Sequence, residues 1–267
     1  MQISGQVKKM TAVFQKPVEY FLELEQKQIN INQFIGKNLS IEYRGEIICM
    51  SCGKPTVKSF AQGYCFPCLK TAPETSPCVL QPELCEAHLG IYRDKQWAEE
   101  HCLIPQYVYL AVSGNIKVGV TRENQIPTRW IDQGATYAIK FAKVPNRYLA
   151  GMLEIELKKH ISDKTNWQQM LKNKMSMNID LIERKNNLTA LLPSEYKQYI
   201  STDNEITYID FPVKNYPAKI KSINLDNDRK YIGKLAGIKG QYLLFEDEYV
   251  INIRKYSGYI LYFTFDE

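Results

Sequence analysis

Apolar and polar residues alternate over short stretches at both ends of the chain, the pattern of strands that bury one face. Near the N-terminus these stretches are ISGQVKKM, VEYFLELEQ and LSIEYRGEIIC. Toward the C-terminus they are ITYIDFPV, AKIKSINL, YLLFEDEYVINIRK and GYILYFTF. The pattern therefore predicts β-rich modules over residues 1–48 and 201–267.

The segment between these modules mixes strand and helix patterns. The stretch YVYLAVSGNIKVGVTRENQIPTRW, Tyr107 to Trp130, predicts a β-hairpin followed by the start of a helix. In NRYLAGMLEIELKKHI, Ala150, Leu153, Leu157 and Ile161 recur at helical spacing. The sequence of residues 179–200 predicts one or two further helices, interrupted near Pro193. The predicted fold class is α+β, with a small α/β domain and a helical extension over residues 106–200.

Four of the seven cysteines have the spacing of a zinc ribbon. The stretch CMSCGKPTVKSFAQGYCFPC contains two C-x2-C pairs separated by twelve residues. Each pair places two thiolates toward one ion, and Gly53 and Gly63 lie where the turns need backbone freedom. The odd number of cysteines argues against a framework of disulfides. We expect a structural zinc ion bound by Cys49, Cys52, Cys65 and Cys68.

The remaining three cysteines suggest a second zinc site. In CVLQPELCEAHLGIYRDKQWAEEHC, Cys78, Cys85, His88 and Cys102 would complete a tetrahedral set, with His101 as a substitute for the last ligand. The alternative is that these are free thiols beside an incidental histidine. With four protein ligands neither site would be catalytic. Residues 49–105 are predicted to form a zinc-binding region with one ion or two.

Charge and hydropathy limit the class of partner. The net charge is +5, and residues 107–172 alone contain ten Lys or Arg against five Asp or Glu. A basic excess within one module suits a polyanion such as nucleic acid, although a solvated basic face without a ligand is as compatible with it. No eighteen apolar residues run together, and the N-terminus lacks the apolar stretch of a signal peptide. We expect a cytoplasmic protein with no membrane partner.

Four residues follow one another in a suggestive order: Tyr109 on the first hairpin strand, Lys117 in the KVG of the second, Arg129 at a helix start and Glu154 in a later helix. This order resembles the GIY-YIG nuclease superfamily, in which two tyrosines, an arginine and a metal-binding glutamate line one face of a small α/β domain. The resemblance covers about residues 107–171. Together with the cysteine ribbon and LAGIKGQYLLF, the whole chain resembles a bacterial family known only as a domain of unknown function.

The resemblance implies a GIY-YIG-like domain with five candidate catalytic residues: Tyr109, Lys117, Arg129, Glu154 and Asn166. Lys117 occupies the place of the second tyrosine, as in the branch of the superfamily that has KIG at this point. The residues before Tyr109 are Tyr107 and Val108 instead of glycine and isoleucine.

These residue types suit phosphodiester cleavage on chemical grounds. Tyr109 could position the attacking water, Arg129 offers a forked set of donors to phosphate, and a single Glu154 suits magnesium or manganese. Each residue also has a structural interpretation. Tyr109 can pack in a core, and Arg129 can be a surface arginine at a helix start, held by Asp132. Glu154 can pair with Lys158 one turn later on a solvated face. Glu156 competes with Glu154 for the metal.

The sequence therefore supports a zinc-containing protein that binds nucleic acid, DNA or RNA, and that resembles a metal-dependent endonuclease. The alternative is a non-catalytic adaptor that binds nucleic acid or protein through a degenerate nuclease domain, which Lys117 favours. A third reading is a redox-responsive or zinc-responsive protein that uses Cys78, Cys85 and Cys102.

Overall fold

The computed structural model describes residues 1–25, 27–162, 166–174 and 179–266. The strands are β1 Gln2–Gln6, β2 Thr11–Val13, β3 Glu19–Leu24, β4 Lys27–Asn30, β5 Asn38–Ile47, β6 Gln106–Ser113, β7 Asn115–Arg122, β8 Tyr137–Val144, β9 Thr207–Tyr208, β10 Lys221–Ser222, β11 Lys230–Lys239, β12 Tyr242–Phe245, β13 Tyr249–Asn252 and β14 Tyr259–Phe265.

The α-helices are α1 Phe66–Thr71, α2 Lys95–His101, α3 Thr128–Asp132, α4 Arg147–Lys158, α5 Trp167–Leu171, α6 Leu181–Leu191, α7 Ser194–Lys197 and α8 Leu225–Asp228. Short 3₁₀ turns lie at Asn32–Phe34, Pro73–Thr75, Pro77–Val79, Pro82–Leu84, Ala87–Leu89, Glu123–Gln125 and Ile253–Tyr256. The fold is α+β, as predicted. None of the described helices is both long and apolar enough to cross a bilayer.

The first compact unit joins the two ends of the chain, Met1–Lys70 and Ile209–Glu267. Its main sheet has seven strands in the order β1-β14-β5-β11-β12-β13-β10, and a smaller sheet has the order β2-β3-β4. Strand β1 pairs antiparallel with β14, so that Gln2 lies opposite Thr264. The two β-rich ends of the sequence are therefore neighbours in one sheet.

The predicted alternation explains most of these strands. In β3 every second residue is buried, namely Tyr20, Leu22 and Leu24, and β14 alternates in the same way. Two predicted stretches are shorter in the structure, because only β9 forms within ITYIDFPV and only β10 within AKIKSINL. Pro212 lies in the first of these, and a proline has no amide hydrogen to donate to a sheet.

The second compact unit is Thr71–Tyr208. Its sheet has the order β7-β6-β8-β9, with every neighbouring pair antiparallel. Three members of the predicted helical stripe, Ala150, Leu153 and Leu157, are fully buried in the core that α4 and α6 form with this sheet. The fourth, Ile161, was wrongly placed on the helix, because α4 ends at Lys158, and it packs against the core partly buried. The predicted interruption is also confirmed, since α6 ends at Leu191 and α7 begins at Ser194. Strand β8 was not predicted, although its YAIKFAKV sequence is largely apolar.

Candidate functional site: two cysteine clusters and a buried tyrosine centre

The four cysteines of the predicted ribbon come together in the first unit. The Sγ atoms of Cys49, Cys52, Cys65 and Cys68 all lie within 4.8 Å of one another. Cys52 Sγ is 3.9 Å from Cys65 Sγ. Four thiolates around a tetrahedral zinc ion are about 3.8 Å apart, given Zn–S bonds of about 2.3 Å. The thiols thus have nearly the spacing that a bound ion requires.

Two tight turns bring these thiols together. Gly53 has a φ of +69°, and its amide donates to the Cys49 carbonyl at 3.0 Å. Gly63 has a φ of +127°, and its carbonyl accepts from the Met50 amide at 2.8 Å. Residues with a Cβ rarely adopt these angles, so the predicted need for glycine at both turns is confirmed.

The electrostatics of the ribbon favour a bound cation. Burial raises the pKa of Cys49, but amides of Cys52, Cys65 and Ser51 donate to its sulfur and bring the pKa to about 6. Hydrogen bonding to Cys65, followed by burial, raises the pKa of Cys68 to about 12. A divalent ion bound here would displace the thiol protons. Thiolate donors alone select zinc or a similarly soft ion, so this cluster could hold a metal such as zinc.

A second cluster lies in the second unit. The Sγ atoms of Cys78, Cys85 and Cys102 lie within 4.8 Å of one another, and all three residues are buried. They come from the turn Pro77–Val79, the end of the turn Pro82–Leu84, and the C-terminus of α2. This cluster could also hold a metal.

Contacts with α4 fix the chain around this second cluster. The Arg147 guanidinium donates to the carbonyls of Cys78 and Val79 at 2.8 and 2.9 Å. One turn later, Gly151 lets the backbone of Pro82 and Glu83 approach so closely that any Cβ would overlap with it. The turns that carry two of the cysteines are thereby packed onto the helix that also carries Glu154.

The histidines predicted as further ligands stack on aromatic rings. The His88 ring stacks on Tyr148 with their centroids 4.4 Å apart. The His101 ring stacks on Trp97, also at 4.4 Å, and its Nδ1 is 3.0 Å from the Trp97 carbonyl oxygen. Neither imidazole belongs to the described group of three sulfurs. The role of His88 as a ligand stays a prediction.

The candidate catalytic tyrosine lies on the hairpin, where strand register sets its surroundings. Tyr109 of β6 is directly opposite Gly119 of β7, and Ala111 is opposite Lys117. Directly opposed residues point to the same face, so Lys117 shares the face of Tyr109. The Tyr109 ring crosses Gly119 so closely that a Cβ there would be 2.6 Å from the phenol oxygen. The glycine of KVG is thus required by the tyrosine ring.

Three other side chains act on the Tyr109 phenol. Its hydroxyl donates to Gln133 Oε1 at 2.8 Å. Burial raises the pKa of Tyr109. Arg129 lowers this pKa through its charge and a hydrogen bond to the phenol, whereas the negative charge of Glu154 raises it further. Trp130 packs edge-on against the ring, 6.0 Å between centroids. Tyr109, Arg129 and Glu154 are therefore brought together around one buried hydroxyl.

The centre is closed to solvent. Tyr109 is fully buried, Lys117 is 4% exposed and Glu154 is 7% exposed. Glu154 pairs with Lys158 at 3.4 Å, the contact that the structural interpretation of the sequence anticipated, but on a buried face. Its competitor Glu156 contacts Lys159 at 2.6 Å. Since its pKa is raised, Tyr109 keeps its proton and donates it in a hydrogen bond.

The last candidate, Asn166, caps a helix. Its Oδ1 accepts from the Gln169 amide at 3.1 Å, at the start of α5. Sequence reasoning missed Gln133, the hydrogen-bond partner of Tyr109. A glutamine in the turn after α3 carries no motif, and its position beside the hairpin depends on how α3 packs.

Comparison with known proteins adds a family but no activity. Residues 36–261 match a family model described as Protein of unknown function (DUF2797). Searches of curated proteins and of solved structures found no significant match.

Proposed function

Since the chain belongs to the DUF2797 family, whose description assigns no function, we propose from its residues that it is a zinc-containing nucleic-acid-binding protein with a GIY-YIG-like domain. The observation that carries nucleic-acid binding is the surface of the cysteine ribbon. On this surface, two lysine side chains lie next to two phenylalanine rings.

The ribbon surface combines the two groups that single-stranded nucleic acids contact. The rings of Phe60 and Phe66 lie 5.7 Å apart. Lys58 Nζ lies over the Phe60 ring at 5.2 Å, and Lys70 Nζ lies over the Phe66 ring at 4.5 Å. Phe66 is 52% exposed. Bases stack on such rings while nearby cations contact the phosphates.

Local charge also supports this surface. Residues 47–73 contain three lysines and no Asp or Glu. A zinc ion with four thiolates carries two net negative charges, which Lys54, Lys58 and Lys70 more than offset. The remaining positive charge is on flexible side chains at the surface, where it can reach a phosphate backbone.

The basic surplus of the central segment supports binding less well. Lys140 pairs with Asp203 at 3.0 Å, and Lys143 pairs with Glu123 at 2.7 Å. These cations are largely neutralised by partners within the protein. Arg129 is half-buried beside Tyr109 and remains the candidate phosphate contact of that unit.

Fluorescence anisotropy with a labelled 20-nucleotide single strand, as DNA and as RNA, tests the proposal between 50 and 200 mM salt. Affinity should fall steeply as salt rises, through counterion release. Removing Lys58 and Lys70 together should reduce the slope of log K against log salt by about 1.4. Arg129→Ala should weaken binding to every sequence tested.

Phe66→Ala supplies the sharper comparison. Loss of one stacking platform should weaken binding about 5-fold to 160-fold, since a base stack is worth about 1–3 kcal/mol. Phe14→Ala is the matched control, because Phe14 is another exposed phenylalanine, 43% accessible, outside the ribbon. Salt-independent binding, or equal effects of the two substitutions, would show that the ribbon does not bind nucleic acid.

A second candidate function, metal-dependent endonuclease, is supported by the gathering of Tyr109, Arg129 and Glu154. A phenol, a guanidinium and a carboxylate can position water, neutralise a phosphoryl group and hold magnesium. The burial of all of Tyr109 and nearly all of Glu154 supports instead the adaptor alternative. In this conformation a phosphodiester does not reach the phenol or the carboxylate.

Cleavage assays with circular DNA, linear DNA and structured RNA separate these two candidates. A nuclease should require Mg²⁺ or Mn²⁺, and Glu154→Gln should abolish cleavage. Glu156→Gln is the matched control, since it also removes one carboxylate from α4 that pairs with a lysine. Binding without cleavage under either metal would leave the adaptor function. Equal loss of activity in both variants would exclude a specific metal role for Glu154.

A further inference from the structure

A cleft of about 690 Å³ opens beside the second cysteine cluster. Its walls include Cys78, Cys85 and Cys102 themselves. The other residues that line it include Glu83, His88, Trp97 and Tyr148. Three thiols and an acidic residue therefore lie around one cavity, which has room for a small molecule.

The cluster provides three metal ligands and leaves a fourth position to the cleft. The three sulfurs lie within 4.8 Å of one another, with no fourth Cys, His, Asp or Glu in the group among the described residues. His88 is exposed and stacks on Tyr148. Zinc sites with four protein ligands are structural, whereas those with three keep a position for water or substrate.

The carboxylate of Glu83 supplies an independent observation. Its Oε2 is buried and has no hydrogen-bond partner in the part of the chain that the structure describes. A buried acceptor without a donor is costly and uncommon in folded proteins. A water molecule on a metal at the neighbouring cluster would provide the donor.

A nearby cation makes three thiolates tolerable in this buried setting. The Arg147 guanidinium donates to the carbonyls of Cys78 and Val79 at 2.8 and 2.9 Å, beside the cluster. Zinc with three thiolates carries one net negative charge, which Arg147 balances without acting as a ligand.

We propose that Cys78, Cys85 and Cys102 bind a zinc ion whose fourth ligand is an exchangeable water that donates a hydrogen bond to Glu83. The cleft is then the route by which a small ligand with a nitrogen or sulfur donor replaces that water. This site is separate from the ribbon and from the Tyr109 centre, and it does not depend on nucleic-acid binding.

The proposal can be tested by replacing zinc with cobalt and adding 1-methylimidazole as the probe ligand. This molecule has one nitrogen that can bind the metal and no N–H to donate. The full chain should bind two Co²⁺ ions. Titration with 1-methylimidazole should change the visible cobalt bands saturably, since the ribbon has four protein ligands and does not respond. Cys85→Ser should remove one ion and the response. His88→Ala should leave the spectrum and the response as in the wild type.

A wild-type spectrum that does not respond to 1-methylimidazole would show that the metal has no exchangeable coordination position. If only His88→Ala then responds, His88 is the fourth ligand and the site is closed. His88 is at the surface, so this variant should fold even where Cys85→Ser does not. Glu83→Ala should lower the 1-methylimidazole concentration for half-saturation several-fold, because the displaced water has lost its acceptor. An unchanged value overturns the role of Glu83.

Discussion

Gly119→Ala is the most direct test of the geometry around Tyr109. The new Cβ would lie 2.6 Å from the Tyr109 phenol oxygen and 2.7 Å from its Cζ. Real carbon atoms do not approach so closely, so either the ring or strand β7 has to shift. The ring has little room, because Tyr109 is fully buried and Trp130 packs against it.

The expected cost follows from two opposing effects. Overpacking a well-packed core costs about 1–3 kcal/mol. Gly119 has no left-handed backbone angle, so alanine recovers about 0.5–1 kcal/mol of the conformational entropy that glycine loses in a strand. We expect a net destabilisation of about 1–2 kcal/mol.

Urea denaturation followed by tryptophan fluorescence measures this loss of stability in the second compact unit, Thr71–Tyr208. The three tryptophans, Trp97, Trp130 and Trp167, all lie within residues 71–208. The signal therefore reports the unit that contains Gly119. With a urea dependence of about 2 kcal/mol per molar, the midpoint should fall by about 0.5–1 M.

Tyr109→Leu provides the matched background, because it removes the hydroxyl and the ring that the new Cβ would meet. In that background Gly119→Ala should be neutral or slightly stabilising, which gives a coupling free energy above about 1 kcal/mol. The reasoning fails if the alanine costs the same with and without the ring. It also fails if Gly119→Ala does not destabilise the wild type.

Two further predictions concern the first unit. Cys68→Ser should remove one zinc ion per chain and lower stability, because metal binding energy is folding energy in so small a module; elemental analysis that finds a folded, zinc-free wild type would contradict this. Lys239→Met should stabilise the protein by roughly 4 kcal/mol at pH 7, from the difference between a pKa of 10.5 and one of about 7 at about 1.4 kcal/mol per unit. Burial lowers the pKa of Lys239 to about 7, although the rings of Phe211 and Tyr216 at 5.1 and 5.2 Å from its Nζ favour the cation. The folded chain therefore binds fewer protons than the unfolded chain between pH 7 and 10.5, so wild-type stability rises through this window and the advantage of methionine shrinks. Circular dichroism melts of wild type and Lys239→Met at pH 7 and pH 10 measure this advantage. A stability difference between the two proteins that does not change with pH would refute the burial argument.

Features that arise from neighbouring residues could be predicted from the sequence. The ribbon cysteines are paired two residues apart and joined by one short hairpin, so spacing alone predicts that their sulfurs meet. The same holds for the stripe of Ala150, Leu153 and Leu157, which follows from the period of one helix. That residues 107–122 form a β-hairpin also follows from the local alternation of apolar and polar residues.

Contacts between residues far apart in the sequence depend on tertiary packing. Cys78 and Cys102 were predicted as ligands of one ion, but their contact depends on Gly151 and Arg147 of α4, which hold the intervening turns. The same packing leaves His88 on Tyr148, outside the sulfur cluster. Gln133 reaches Tyr109 only because α3 packs against the hairpin. The physical reason is that long-range contacts depend on how whole faces fit together, which local periodicity does not specify.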